Sequence, residues 1–430
     1  MSIAITRGQS APENPPPLGS YVTLLRTMLA LLAVIAVSWG DARASESQPQ
    51  YRGFSATGAT GANYDRIKQE IMSTLVGCDR TERNADFVAP KIKKRAKNPG
   101  EFYPTEARMR GEQAVITLSF LDDSLGNIRF IHVKQSFPVN PDPALIAAAI
   151  QLARAYVVTP ASLNGEPIPY WTGMPVKFIL QGVGGPMGSL LRQDAWLAML
   201  DKANAGDVQS IVDSGYVAEM VSGETGLSRN AEMSLVVDSA LHGADFARMQ
   251  LYGALSPCSQ EAIVEPWVSA DAKTGSIQAQ MTLAQITWAR ALARGSEASQ
   301  TDKTRDLLHA VADGAEPFYR LWAAGVLATE PGLRDPATAL KVAVALNDKR
   351  DAGYEYDPDY LELLAAARAA NGKFPAAVQA ELTAIGWARH NGWNVKLMES
   401  RLLSYRSQRP WFGHLCDCQQ IAPDMQVRLK

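Results

Sequence analysis

The sequence predicts two modules: a small α+β domain with one helix on a short antiparallel sheet, and behind it an all-α solenoid of helical repeats. Three observations predict this. Apolar residues alternate strictly over 115–120, with further strand-like runs at 128–133 and 174–180. After residue 188 the spacing becomes helical and alanine-rich. Within that region Gly206, Gly243, Gly275 and Gly314 recur at intervals of 32 to 39 residues, each between a helix end and the start of an alanine-rich partner.

Arg7 and Arg26 precede an apolar run, Met28 to Trp39, and Ala42-Arg43-Ala44 follows. A basic segment, an apolar core and a small-x-small site form, in that order, a secretory signal peptide, predicted over 1–44 with cleavage before Ser45. The run is shorter than the roughly 20 residues a spanning helix needs. An uncleaved inner-membrane anchor is the alternative, and membrane association is expected only in that case. Either reading exports the body to the periplasm. The net charge of −2, with Lys and Arg spread along the chain, argues against nucleic acid as a partner.

Four cysteines suit an exported protein without defining a disulfide scaffold. Cys78, Cys258, Cys416 and Cys418 are the candidate disulfide partners, with three pairings open. A bond within the C-x-C would be strained, so at least one of Cys416 and Cys418 is expected to pair elsewhere.

Residues 45–99 read as a linker with one amphipathic helix. Ser45 to Asn63 is polar; Tyr64, Ile67, Ile71, Leu75 and Val76 then follow helical spacing, with a stop predicted at Gly77. "KIKKRAKNPG", 91–100, reads as a solvated basic face.

In the strand that follows, Ile116, Leu118 and Phe120 share one face while Val115, Thr117 and Ser119 share the other, a half-buried pattern. "DDSLGN" supplies a turn. In the next strand Ile131 and Val133 agree in phase and Ile128 does not, which predicts a bulge. Pro141 to Pro143 opens a helix whose buried stripe is Leu145, Ala148, Ala149, Leu152 and Tyr156. A turn at Asn164-Gly165 leads to the closing strand "MPVKFIL".

Residues 100–181 resemble the TonB C-terminal domain family. The resemblance lies in Tyr103-Pro104, Ala107-Arg108, Gly111 and Gly126, then in "VKQS", "VTPASLNGEPI" and "PVKFIL", in order and with fitting gaps. It implies that the closing strand pairs with an extended segment of a partner protein, which would make Met174, Val176, Lys177, Phe178, Ile179 and Leu180 the partner-binding edge.

"GVGGPMG", 182–188, lacks the Lys-Ser/Thr of a phosphate loop and reads as an interdomain hinge. Residues 189–415 resemble SEL-one-like and tetratricopeptide repeats, most clearly at 360–385 through Leu361, Leu364, Ala365, Gly372, Ala377 and Ala384. "ESRLLSYRSQRPW" resembles the closing helix of such arrays, and 416–430 is read as a tail. Trp196, Trp267, Trp288, Trp322, Trp387 and Trp393 fall at repeat-like intervals, as wedges between helices or, in the other reading, as a peptide groove.

No hydrolase, metalloprotease or nucleotide motif appears. His132, His242, His309, His390 and His414 are scattered and read as structural. "HLCDC", 414–418, offers ligands for a metal, but thiols in an oxidising compartment more often form disulfides. Neither cofactor nor metal is predicted. The expected function is a non-enzymatic periplasmic adaptor binding other envelope proteins. The alternatives are a TonB-type energy transducer, which the resemblance implies at face value, and an enzyme built on the C-terminal Cys/His group.

Overall fold

The computed structural model describes residues 49–54, 59–82, 87–94, 99–138, 140–180, 193–220, 225–255, 261–293, 298–348 and 357–415. The predicted signal peptide, the 182–188 hinge, and Cys258, Cys416 and Cys418 lie outside these. All described residues belong to one compact unit, Pro49–Lys430.

Helix α1, Ala59–Glu82, runs through Gly77 rather than stopping there. A glycine inside a helix costs only about 1 kcal/mol relative to alanine, and no proline follows to end it. Two short strands come next, β1 (Phe87–Val88) and β2 (Lys91–Lys94), so the start of the basic stretch is a strand, with Lys91 and Ile92 exposed. Lysines on a short outer strand discourage stray pairing while leaving the backbone free to form a ladder.

After the short helix α2, Thr105–Met109, come β3 (Ala114–Asp122), β4 (Ile128–Phe137), helix α3 (Pro143–Arg154), β5 (Val157–Thr159), β6 (Ala161–Leu163), β7 (Glu166–Ile168) and β8 (Tyr170–Phe178). The main sheet has the order β4-β3-β8 and is antiparallel throughout. Strands β1-β6-β7 and β2-β5 form smaller ladders beside it. The expected bulge lies in β4: the pairing shifts between Ser119/His132 and Leu121/Arg129, and Phe130 takes a φ of 51°. That extra residue brings both Ile128 and Ile131 into the core. Asn164 and Gly165, at φ 52° and 83°, make the turn between β6 and β7. Helix α3 starts where its side chains say it should, with the Asp142 carboxylate accepting the Ala144 N–H and Pro143 in the first turn.

One expectation about β3 changes. Ile116, Leu118 and Phe120 pack beneath α3 on Leu145, Ala148, Ala149 and Leu152, as the alternation requires. The other face is covered as well. Val115 packs with Trp196 and Leu200, and Leu121 lies against Phe130 and Trp171. The strand is buried on both faces because helices from the second module lie over it.

Those helices are α4 (Gln193–Asn204), α5 (Val208–Met220), α6 (Arg229–Leu241), α7 (Asp245–Leu255), α8 (Glu265–Lys273), α9 (Ile277–Ala293), α10 (Ala298–Ala312), α11 (Pro317–Thr329), α12 (Pro336–Asp348), α13 (Pro358–Ala370), α14 (Phe374–His390) and α15 (Lys396–Arg406). Each packs on its neighbours in sequence, a solenoid-like run. Gly206, Gly243 and Gly275 leave their helices at φ 88°, 94° and 98°. Gly314 does not share that conformation; a Cβ there would stand 2.5 Å from the Ile277 Cδ1, so it is small for close packing. The tryptophans wedge between helices, Trp196 within one cluster and Trp387 and Trp393 against another. Trp322 instead faces the sheet and stacks on Trp171 at 5.7 Å.

Helix α1 packs on this array rather than standing apart in a linker. Ile71 and Leu75 join Val236, Val237 and Leu251. Tyr51, ahead of α1 and within the expected linker, is buried as well.

Candidate partner-binding surface

A three-stranded sheet has two edges, and this structure treats them differently. The β4 edge is held by the helical array. Arg129 reaches into it with Nε and Nη2 at 2.9 and 2.6 Å from the Asp359 Oδ1, and its Nη2 also pairs with Glu362. The Phe130 N–H donates to the Asp359 Oδ2 at 2.7 Å, so one carboxylate binds both a side chain and the strand's backbone. Behind it Arg401, fully buried, pairs with Glu362 and Glu381. Burial raises Glu381 above the ordinary carboxylate range, and the Arg129 charge opposes that rise. Two guanidinium groups, Arg129 and Arg401, thus lie among Asp359, Glu362 and Glu381 in one buried cluster.

Contacts on either side extend the clasp. The Asn394 N–H donates to the Asn127 Oδ1 at 2.7 Å, and Arg154 pairs with Asp357 at 2.7 Å. Farther along β4 the His132 ring stacks on Phe318 with centroids 3.7 Å apart, Lys134 meets Glu219 at 2.6 Å, and the Tyr216 hydroxyl lies 3.3 Å from the Ser136 N–H. Burial pulls His132 down to about 4, so the stacked ring is neutral.

The β8 edge is different. Among the described residues β8 pairs only with β3. Its register runs without interruption from Ala114↔Phe178 to Asp122↔Tyr170. Val176 and Phe178 are buried in the α3 core and Met174 packs against it, so three of the six predicted edge residues point inward and hold the strand in place. Lys177 is exposed. Ile179 and Leu180 lie just past the strand, where the Leu180 N–H donates to the Gln113 side chain at 3.0 Å. Pro175 has no N–H, and proline is accepted in a sheet where that position faces outward. Backbone groups alternate in direction along a strand, so Gly173 shares that outward orientation. What β8 can offer a partner is therefore its backbone, with core-anchored side chains behind.

The histidines are spread among structural contacts. The His242 Nδ1 lies 2.7 Å from the Asp238 carbonyl, His309 pairs with Asp335 at 3.2 Å, and His390 meets Trp387 edge-on. The His414 carbonyl accepts the Trp411 indole N–H, while the two cysteines after it lie outside the described residues. No group of three metal-ligating side chains occurs among the described residues.

Sequence reasoning missed Arg129, Asp359, Glu362 and Arg401. A signal existed in Asp359 and Glu362, acids in an otherwise apolar stretch, and in Arg129 between apolar residues on a strand. Nothing local pairs them.

Residues 99–180 match the family model described as Gram-negative bacterial TonB protein C-terminal. No curated protein and no solved structure matches the chain. The chain thus carries a TonB C-terminal-type domain, whose closing strand is β8, set against a solenoid-like run of helices. Among the described residues no helix is long and apolar enough to cross a membrane.

Proposed function

We propose that this protein is a non-enzymatic periplasmic adaptor of the bacterial cell envelope, with the helical array gripping the TonB-like sheet by β4 and a partner protein adding an extended segment at β8. The carrying observation is the asymmetry of the sheet: one edge is bound to the chain's own helices, and the other pairs only with β3 among the described residues. Exposed backbone on an edge strand recognises extended peptides through ladder hydrogen bonds. The family match favours this mode and equally fits the transducer alternative. The adaptor reading is favoured by the burial of the sheet's second face under helices, which builds the domain into a larger body. Export with cleavage before Ser45 belongs to the same proposal.

The test is Gly173→Pro, which removes one outward N–H from β8 while its neighbour position already carries proline. A Cβ at Gly173 meets nothing within 4 Å. The variant is expected to keep its stability within about 1 kcal/mol and to lose capture of the periplasmic partner that co-purifies with the wild type. A loss near the roughly 3 kcal/mol of a misplaced proline would mean that this N–H is already bonded. Undiminished capture by a folded variant would move the binding surface elsewhere.

A further inference from the structure

The helical array does not close fully on β4. Between its two contacts with the strand backbone, at Phe130 and Ser136, a cavity of about 1040 Å³ remains. One wall is β4 itself, His132–Gln135. Facing it are Tyr216 on α5, Phe246 and Met249 on α7, Ile277 on α9, and Phe318 and Tyr319 on α11, a wall of rings and apolar chains. The Lys134 ammonium is matched, 2.6 Å from Glu219 and 3.0 Å from Gln250, and the lining's other carboxylate, Glu316, is exposed to solvent. One buried acceptor is not. Gln135 is 6% exposed; its Nε2 donates to Glu219, while its Oε1 has no hydrogen-bond partner.

Size and shape narrow the occupant. Residues 131–135 of β4 span about 17 Å at roughly 3.3 Å per residue. A strand laid beside them, about 4.8 Å away in a layer about 10 Å thick, fills on the order of 800 Å³. That is close to the volume of the cavity. Among the described residues no helix side chain bonds the β4 backbone between its two anchor points, so the strand's outer edge faces the space. An anion would find no unpaired cation here, and a cation would find only the solvent-exposed Glu316, a weak, screened gain against its lost hydration.

We propose that this cavity binds an extended, uncharged peptide segment of about five residues, which adds to the outer edge of β4 as a fourth strand and packs its side chains on the ring-lined helix wall. This site is separate from β8 and does not depend on the reading of that edge. The peptide's N–H groups pair with β4 carbonyls, and one donor comes within reach of the Gln135 Oε1. The helices on the far side set selectivity for apolar side chains, and the two anchor points set the length.

The experiment uses the full chain and a capped pentapeptide of alternating valine and threonine, read by hydrogen exchange over residues 131–136. Saturating peptide is expected to slow exchange there roughly tenfold or more. An analogue with N-methylated backbone keeps the side chains, lacks the donors, and is expected to have no effect. Gly173→Pro should respond like the wild type. Gln278→Trp, which places a ring in the cavity from a half-buried wall position, should not respond. Three results would each overturn the proposal: no slowing at millimolar peptide, equal slowing by the N-methylated analogue, or an unchanged response in a folded Gln278→Trp chain. Slowing confined to β8 would overturn it too and would speak for the other edge alone.

Discussion

At the scale of single residues, two ionisable groups on the sheet pull in opposite directions as pH changes. Burial raises Asp122 to about 6, with Asp123 adding to the effect and the Thr172 hydroxyl opposing it. Its Oδ2 accepts from Thr172 at 2.7 Å, while its buried Oδ1 has no partner. Asp122 therefore adds stability below its unfolded value of 3.8, and that contribution disappears as pH rises through about 6. His132 has the other sign. Burial depresses it, so its contribution is present above the unfolded value of 6.5 and disappears as pH falls through about 4. Between these limits the two largely cancel. Asp122→Asn keeps the acceptor for Thr172 and leaves His132 unopposed. Relative to the wild type, this variant should lose on the order of 2 kcal/mol between pH 6.5 and pH 4. Denaturant titrations at the two pH values check this; equal pH slopes in the two proteins would show that the groups do not titrate as their burial requires.

At the scale of elements, α1 shows how a helix that reads as an isolated amphipath acquires a fixed place. Its apolar stripe docks on α6 and α7, but apolar contact alone allows sliding. Asp238, with no exposure, sets the register: it accepts from the Tyr51 hydroxyl at 2.7 Å, the Tyr64 hydroxyl at 2.8 Å and the Lys68 ammonium at 2.7 Å, and also from the Phe54 N–H. His242, one turn on, meets Phe54 and Tyr64 edge-on and tilted. Burial and the Asp238 charge push both tyrosines above their ordinary range, so they stay protonated donors. Asp238→Ala leaves Lys68 and two hydroxyls without their acceptor. It should destabilise the chain by about 3–5 kcal/mol, and protease cleavage within α1 should appear before global unfolding. Wild-type protection of α1 in this variant would mean that the apolar stripe suffices.

At the scale of the whole molecule, the question is why the sheet and the helices form one unit. Apolar burial accounts for part of it, through Val115 on Trp196 and Trp171 stacked on Trp322. The Arg129 cluster specifies which sheet edge meets which helix. A buried charge without its partner is costly, so other dockings of β4 on the array are disfavoured by several kcal/mol. Arg129→Leu removes a cation from beside Asp359 and Glu362 and should cost about 3 kcal/mol or more. It should also speed proteolysis between residues 181 and 192 as the sheet separates from α13. The readouts are an equilibrium unfolding curve and a timed digest; a variant unchanged in both would show that apolar contact alone joins the modules.

The sequence by itself determined the local structure: the alternation of β3, the bulge in β4, the Asp142 cap, the Asn164-Gly165 turn and the glycine-marked helix ends. Each depends on residues within a few positions of one another, so periodicity and turn chemistry carry it. Only the tertiary structure decided what covers the second face of β3, why Gly77 does not end α1, why "KIKK" is a strand, and where Arg129 finds its counter-charge 230 positions along the chain. A local pattern says that a face is apolar or that a charge is out of place. Which distant surface meets it is set by how the modules pack, and that information lies in no single stretch of the chain.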